Sequence, residues 1–228
     1  MNIARTATFF SLSLYAAFSP LASQAAPRKA PAKAASTAGL TFRVSARVGA
    51  TGQFAGPQQL VQARVLLRGQ AARVETQSGG TPSVVLFTPP YVYRLLPNSR
   101  AGVCWKVDNT TPSNLSNFDP QSLLRDPARI KVALVRGGAK KVGNSVLAGV
   151  PVEIYEARNF GQKGQRAKLW LRRSDSLPVR LEASGGQMHI VASWRDYARP
   201  KNLSAALFTV PKNFRVRVVE GRPPFSAL

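Results

Sequence analysis

The fifteen residues KLWLRRSDSLPVRLE, Lys168 to Glu182, decide how this chain is read. Two runs of alternating side chains flank a Ser-Asp-Ser turn. Leu169, Leu171, Val179 and Leu181 hold the apolar register, and Lys168, Arg172, Arg180 and Glu182 the charged one. A period of two puts successive side chains on opposite faces of a strand, so each run reads as a strand with one face buried. The short polar link makes the pair an antiparallel hairpin, because parallel neighbours need a crossover of a dozen residues or more. The basic register is then the wet side, and the leucines raise the harder question of what covers them.

The same alternation recurs outward from this hairpin. Ala63, Val65 and Leu67 share a register, as do Val152 and Ile154, and Met188, Ile190, Ala192 and Trp194. Burying one large apolar side chain is worth about 1.5–3 kcal/mol, so ten left in water would forfeit roughly 15–30 kcal/mol. That exceeds the net stability of a domain, about 5–15 kcal/mol. The face is therefore covered, by the sheet curling on itself or by a ligand.

Between Leu40 and Val107, short runs rich in β-branched and aromatic residues are separated by turn chemistry such as SGGTP, PP and PNSRA. Similar runs fill Arg129 to Tyr197, including RIKVALVRG at Arg129 to Gly137, and a closing strand follows Leu207 and Phe208. Asp119-Pro120 sets an N-cap with proline at the first helical position, which predicts a short helix over Gln121 to Arg125, ended before Pro127. Leu123 and Leu124 would turn its apolar side toward the sheet. The expected fold is mainly β, a single antiparallel sheet of about eleven strands with a short helical element. No repeat of 20 to 50 residues stands out, which argues against a propeller or solenoid.

The first 25 residues have the layout of a secretory signal peptide: Arg5, an apolar run from Thr8 to Phe18, then Pro20 and small residues up to Ala25. Residues 26–39 read as a Pro/Ala/Lys tether, and 40–228 as one domain. The protein is expected to be exported, periplasmic where an outer membrane exists, and monomeric. Cys104 is the only cysteine and His189 the only histidine, so no intramolecular disulfide forms and no Cys/His metal spacing can be written. No cofactor is expected.

The net charge of +22 points toward polyanions or anionic membrane surfaces. The basic residues are scattered in sequence, with no block of five, and nucleic acid is not favoured as a partner. Enzymatic chemistry finds few parts. Most of the carboxylates sit in turns or on polar registers, where nearby arginines are the ordinary explanation for them. His189 is out of register with Met188 and Ile190, and Cys104 lies between Val103 and Trp105 without an activating context. No catalytic residue is assigned. Trp105 and Trp194 fall on apolar registers and Trp170 on the charged one, beneath arginine stems; Tyr91 and Tyr93 share a face and are expected to line a cavity mouth.

The joint order of these elements resembles the LolA/LolB superfamily of lipoprotein-localisation carriers and their relatives. The resemblance runs over Leu40 to Val218 and rests on five features. These are the long meander, the Asp-Pro helix midway, G-x-P-V-E-x-Y at Gly149 to Tyr155, L-W-L followed by S-L-P-V-R, and A-L-F-x-V-P at Ala206 to Pro211. It implies an unclosed half-barrel around a hydrophobic cavity with a helical lid, which binds lipid acyl chains or lipoprotein-like ligands. The expected wall comprises Val65, Leu67, Tyr91, Tyr93, Trp105, Leu123, Leu124, Val152, Ile154, Leu169, Leu171, Val179, Leu181, Met188, Ile190 and Trp194. Arg68 stands where the carriers have a lid-latching arginine, although Gly69 replaces the proline that follows it. The carriers' first amphipathic helix has no counterpart in Pro27 to Ala38, and no cysteine is available for lipidation near the signal peptide. The same fold also hosts stress sensors and a cofactor-free enzyme, so the resemblance leaves function open.

Overall fold

The computed structural model describes residues 39–50, 58–78, 80–106, 127–158, 164–185 and 188–220. The signal-peptide reading, nearly all of the tether, and the expected helix with Leu123 and Leu124 lie outside these residues. Twelve strands form one open sheet in the order β12-β6-β5-β4-β3-β2-β1-β11-β10-β9-β8-β7. The first meander is β1 (Gly39–Ala50), β2 (Gln59–Arg68), β3 (Ala71–Ser78), β4 (Thr81–Thr88), β5 (Tyr91–Leu96) and β6 (Ala101–Lys106). The second is β7 (Lys140–Leu147), β8 (Val150–Arg158), β9 (Arg166–Arg172), β10 (Pro178–Gly185) and β11 (Met188–Ala198). Antiparallel pairing of β1 with β11 joins the two meanders in the middle of the sheet.

This is the unclosed half-barrel expected, with one strand more. The twelfth, β12 (Arg215–Val218), lies parallel to β6 at the edge, so the sheet is mixed. It gets there because the segment before it crosses the outer face of the first meander. A 3-10 turn, Ala205–Phe208, starts that crossing, with the Ser204 hydroxyl accepting the Ala206 N–H at its N-cap.

Among the described residues the α-helix is α1 (Pro127–Arg136), where the sequence pattern reads as a strand. Ile130, Val132 and Leu134 satisfy a period of two, but positions 130 and 134 are also one helical turn apart. Local chemistry settles the choice. Pro127 occupies the first helical position, which needs no N–H. At the other end Gly138 adopts φ +84°, its N–H bonds the Val135 carbonyl, and the Ala139 N–H reaches back to the Leu134 carbonyl. These two bonds are a Schellman cap, and Leu134 and Ala139 join the same buried cluster.

Two cores lie on opposite faces of the sheet. The large one, on the inner face, runs from Val92 on β5 through Val85, Val74, Val65 and Phe42 to Leu169 on β9 and Tyr155 on β8. The small one, on the outer face, packs Val84, Leu86 and Leu95 under Val210 and Phe214 of the crossing segment and Val216 of β12. Gly102 sits beside this small core, where a Cβ would lie 2.6 Å from the Arg94 carbonyl oxygen and 2.7 Å from Leu95 Cδ2. The first is a backbone atom and cannot swing aside, so Gly102→Ala is expected to cost about 1–3 kcal/mol. A urea midpoint unchanged from wild type would show that β5 and β6 are not so closely apposed.

Candidate functional site

The inner face is built from registered rows. One runs Leu40–Leu67–Ala72–Phe87–Val92–Trp105 across β1 to β6, and each step is a direct cross-strand pair. Another runs Tyr155–Leu169–Leu181–Ala192–Ala46–Val61 across β8 to β11 and on to β2. Cross-strand pairs of this kind are the unit of sheet stabilisation. Here they make an apolar surface spanning both meanders.

Burial divides that surface. Val65, Leu67, Leu169 and Leu171 are buried core. Phe87, Trp105, Leu181, Ile190 and Trp194 pack against that core but are only half-buried, and they form the less buried part of the face among the described residues. Val179 falls at the irregularity in β10 where two residues oppose one of β9. Met188 is paired with Ala50 at the end of β11.

Four expected wall residues face the other way. Val152 and Ile154 are register partners of Arg172 and Trp170, on the side opposite Leu171 and Leu169. Tyr155 and Ala157 take the inner places on β8. Tyr91 and Tyr93 share the outer register of Leu95, their rings 6.3 Å apart, and Tyr93 packs against the small outer core. Arg68 pairs with Gly39 and Ala71 at the end of β2, also on the outer register. Trp170 lies where its register predicts, outside, with Lys168 Nζ 5.6 Å and the Arg180 guanidinium 5.7 Å from its ring centre.

The sequence pattern missed an ionic clasp at the β8 end of the inner face. Glu153 is paired with Lys131 of α1, and Lys141 of β7 donates to its other oxygen at 2.8 Å. The Tyr155 hydroxyl donates to the first oxygen at 3.2 Å. Glu153 keeps 13% of its side-chain surface exposed, so the three donors nearly enclose it. Hydrogen bonds from Lys131 and then Lys141 hold its carboxyl at about 2, far below the usual range, and the bond to Glu153 in turn raises Lys131. Through Glu153, α1 is tied to both strands of the β7–β8 edge. The helix is held to the sheet by this clasp together with the burial of Leu134.

A second inner-face fixture is Tyr197. An irregularity at Asp196, which has φ +58°, switches the register of β11 and turns Tyr197 onto Phe42, with ring centres 5.3 Å apart. Its hydroxyl donates to the Pro178 carbonyl at 2.7 Å, and burial raises its pKa out of reach of titration. β11 and β10 are thereby bonded at the end where their ladder has stopped.

No protein-family profile matches the chain, and no curated protein sequence matches it. Solved structures do. An uncharacterized conserved protein of Thermus thermophilus superposes with a TM-score of 0.52 at 15% identity, over 78% of this chain and 90% of that one. The two share a fold. A LolA superfamily protein of Nitrosomonas europaea aligns over 75% and 90% of the two chains at 12% identity with a TM-score of 0.36. LprF of Mycobacterium bovis aligns over 76% and 90% at 13% identity with 0.40. Scores at that level fix neither family nor ligand.

Proposed function

We propose that the chain is an exported binding protein that holds a lipid acyl chain, or a lipoprotein-like apolar ligand, against the inner face of its half-barrel, as carrier or sensor. The observation that supports this reading is the half-buried group Phe87, Trp105, Leu181, Ile190 and Trp194 bordering a buried core on an open sheet. Ligand sites are concave and mostly apolar, with few polar groups, and this face offers an extended apolar strip. The sequence resemblance to lipid-handling carriers points to the same class of ligand. No group on this face is assigned a catalytic role.

The test is lipid extraction and mass spectrometry on protein purified without detergent, together with titration of an apolar fluorescent dye. The tryptophans add a positional readout. Trp105 and Trp194 are inner and Trp170 outer, so ligand should shift the emission of Trp170→Phe as it does wild type, and leave Trp105→Phe/Trp194→Phe nearly silent. No co-purified lipid and no gain in dye fluorescence would sink the reading.

A further inference from the structure

The outer face carries an arrangement that stability alone disfavours. Arg64 on β2, Arg43 on β1 and Arg195 on β11 are consecutive register partners, so three arginines stand side by side across three bonded strands. Neighbouring strands lie about 4.8 Å apart, which makes the row roughly 10 Å long. Like charges directly opposite one another destabilise a sheet. Two carboxylates offset them in part. Glu75 is 3.6 Å from Arg64 but is engaged at 2.7 Å by Arg73, and Asp196 stands 3.6 Å from Arg43 and 4.0 Å from Arg195. All three side chains of the row keep more than half of their surface exposed, and exposed Arg47 follows on β1 on the same face. Lys168, by contrast, has Glu156 and Glu182 as its partners on both sides. The charge that is scattered in sequence is thus concentrated by the pairing of β2, β1 and β11.

We propose that this arginine row docks the protein on an anionic phospholipid bilayer. Guanidinium groups match phosphate oxygens with paired donors, and a row of them on an exposed sheet face offers several such donors to a layer of headgroups at once. The row lies mid-sheet, with strands on either side. A duplex groove admits a helix or a two-stranded ribbon, and this surface presents neither. Trp170, half-buried between Lys168 and Arg180 on the same face, is a side chain suited to the headgroup level. Docking by the outer face leaves the inner face free, so the proposal stands apart from the ligand-binding reading.

The experiment is co-sedimentation of the full chain with vesicles of phosphatidylcholine alone or mixed with phosphatidylglycerol, at low and high salt. Wild type is expected to bind the mixed vesicles, to be released by salt, and to ignore phosphatidylcholine. A basic residue at such a surface is worth roughly fivefold in affinity, so Arg43→Gln/Arg64→Gln/Arg195→Gln should bind roughly a hundredfold more weakly. Its urea midpoint should equal or exceed that of wild type, because the repulsion is gone. A control with Arg173→Gln/Lys212→Gln/Arg215→Gln, outside the row, should stay near wild type. Equal weakening in both triple variants, undiminished binding by the first, or a lowered midpoint in the first would each overturn the proposal. So would preference of wild type for duplex DNA or an acidic protein over the mixed vesicles.

Discussion

Leu171→Ala is expected to lower the unfolding free energy by about 2–5 kcal/mol. Leu171 is fully buried, paired with Glu153 on one side and Pro178 on the other, inside the inner-face core. Both flanking strands are fixed by backbone ladders, so the lining cannot close over the lost methyl groups. The cost then combines lost transfer energy with the cavity left behind. Urea unfolding followed by far-ultraviolet circular dichroism measures it. Val146→Ala, at a side chain 65% exposed on β7, is the control and should stay within about 0.5 kcal/mol of wild type. A loss below about 1 kcal/mol at Leu171 would mean that the inner face is not packed as described.

The second large effect concerns Glu153 and acid. Its folded carboxyl titrates near 2 against an ordinary value of 4.5, so the unfolded chain binds a proton first as pH falls. The clasp contributes its full stabilisation above about pH 5 and loses it progressively toward pH 2, up to roughly 3 kcal/mol. Glu153→Gln should remove a similar amount at neutral pH, since Lys131 and Lys141 then face each other without a counter-charge. It should also flatten the loss of stability between about pH 5 and 2. Urea midpoints for both proteins across that range decide the matter, and parallel curves would place the acid sensitivity elsewhere. On the alkaline side Lys131, raised by the same bond, should hold its proton past its ordinary value of 10.5.

These two residues also mark what the sequence discloses and what it hides. Leu169, Leu171 and Leu181 were legible because each alternates with a charged or polar neighbour, and the hairpin they define is present in register. The segment PVEIYEA admits two readings. Val152 and Ile154 look like the inner register because Glu153 lies between them, yet Glu153 is the inner residue, made tolerable there by two lysines that come from other elements. Alternation cannot reveal a charge neutralised from a distance. YVYRLL fails differently. Apart from Arg94 it is apolar on both registers, because both faces of β5 are covered, one by the main core and the other by a segment more than a hundred residues downstream. The helix α1 was misread because its apolar spacing suits both periods, and the deciding signals were Pro127 and the Gly137-Gly138 pair. The arginine row could not be found in sequence at all, since it exists only once β1 has paired with β2 and β11.

The open sheet has two unlike margins. β12 is four residues long and offers little backbone to a newcomer, but β7 runs eight residues with Val142 and Val146 exposed. Among the described residues no strand pairs with its outer side, and an edge of that length is a template for another chain's backbone. Here Lys140 and Lys141 are exposed near its start, and between Lys141 and Gly143 the ladder slips by one residue. Charge and local twist together spoil the fit of an incoming strand. Lys141 is thereby placed to serve twice, as a partner of Glu153 and, with Lys140, as a charge set against strand addition at this margin.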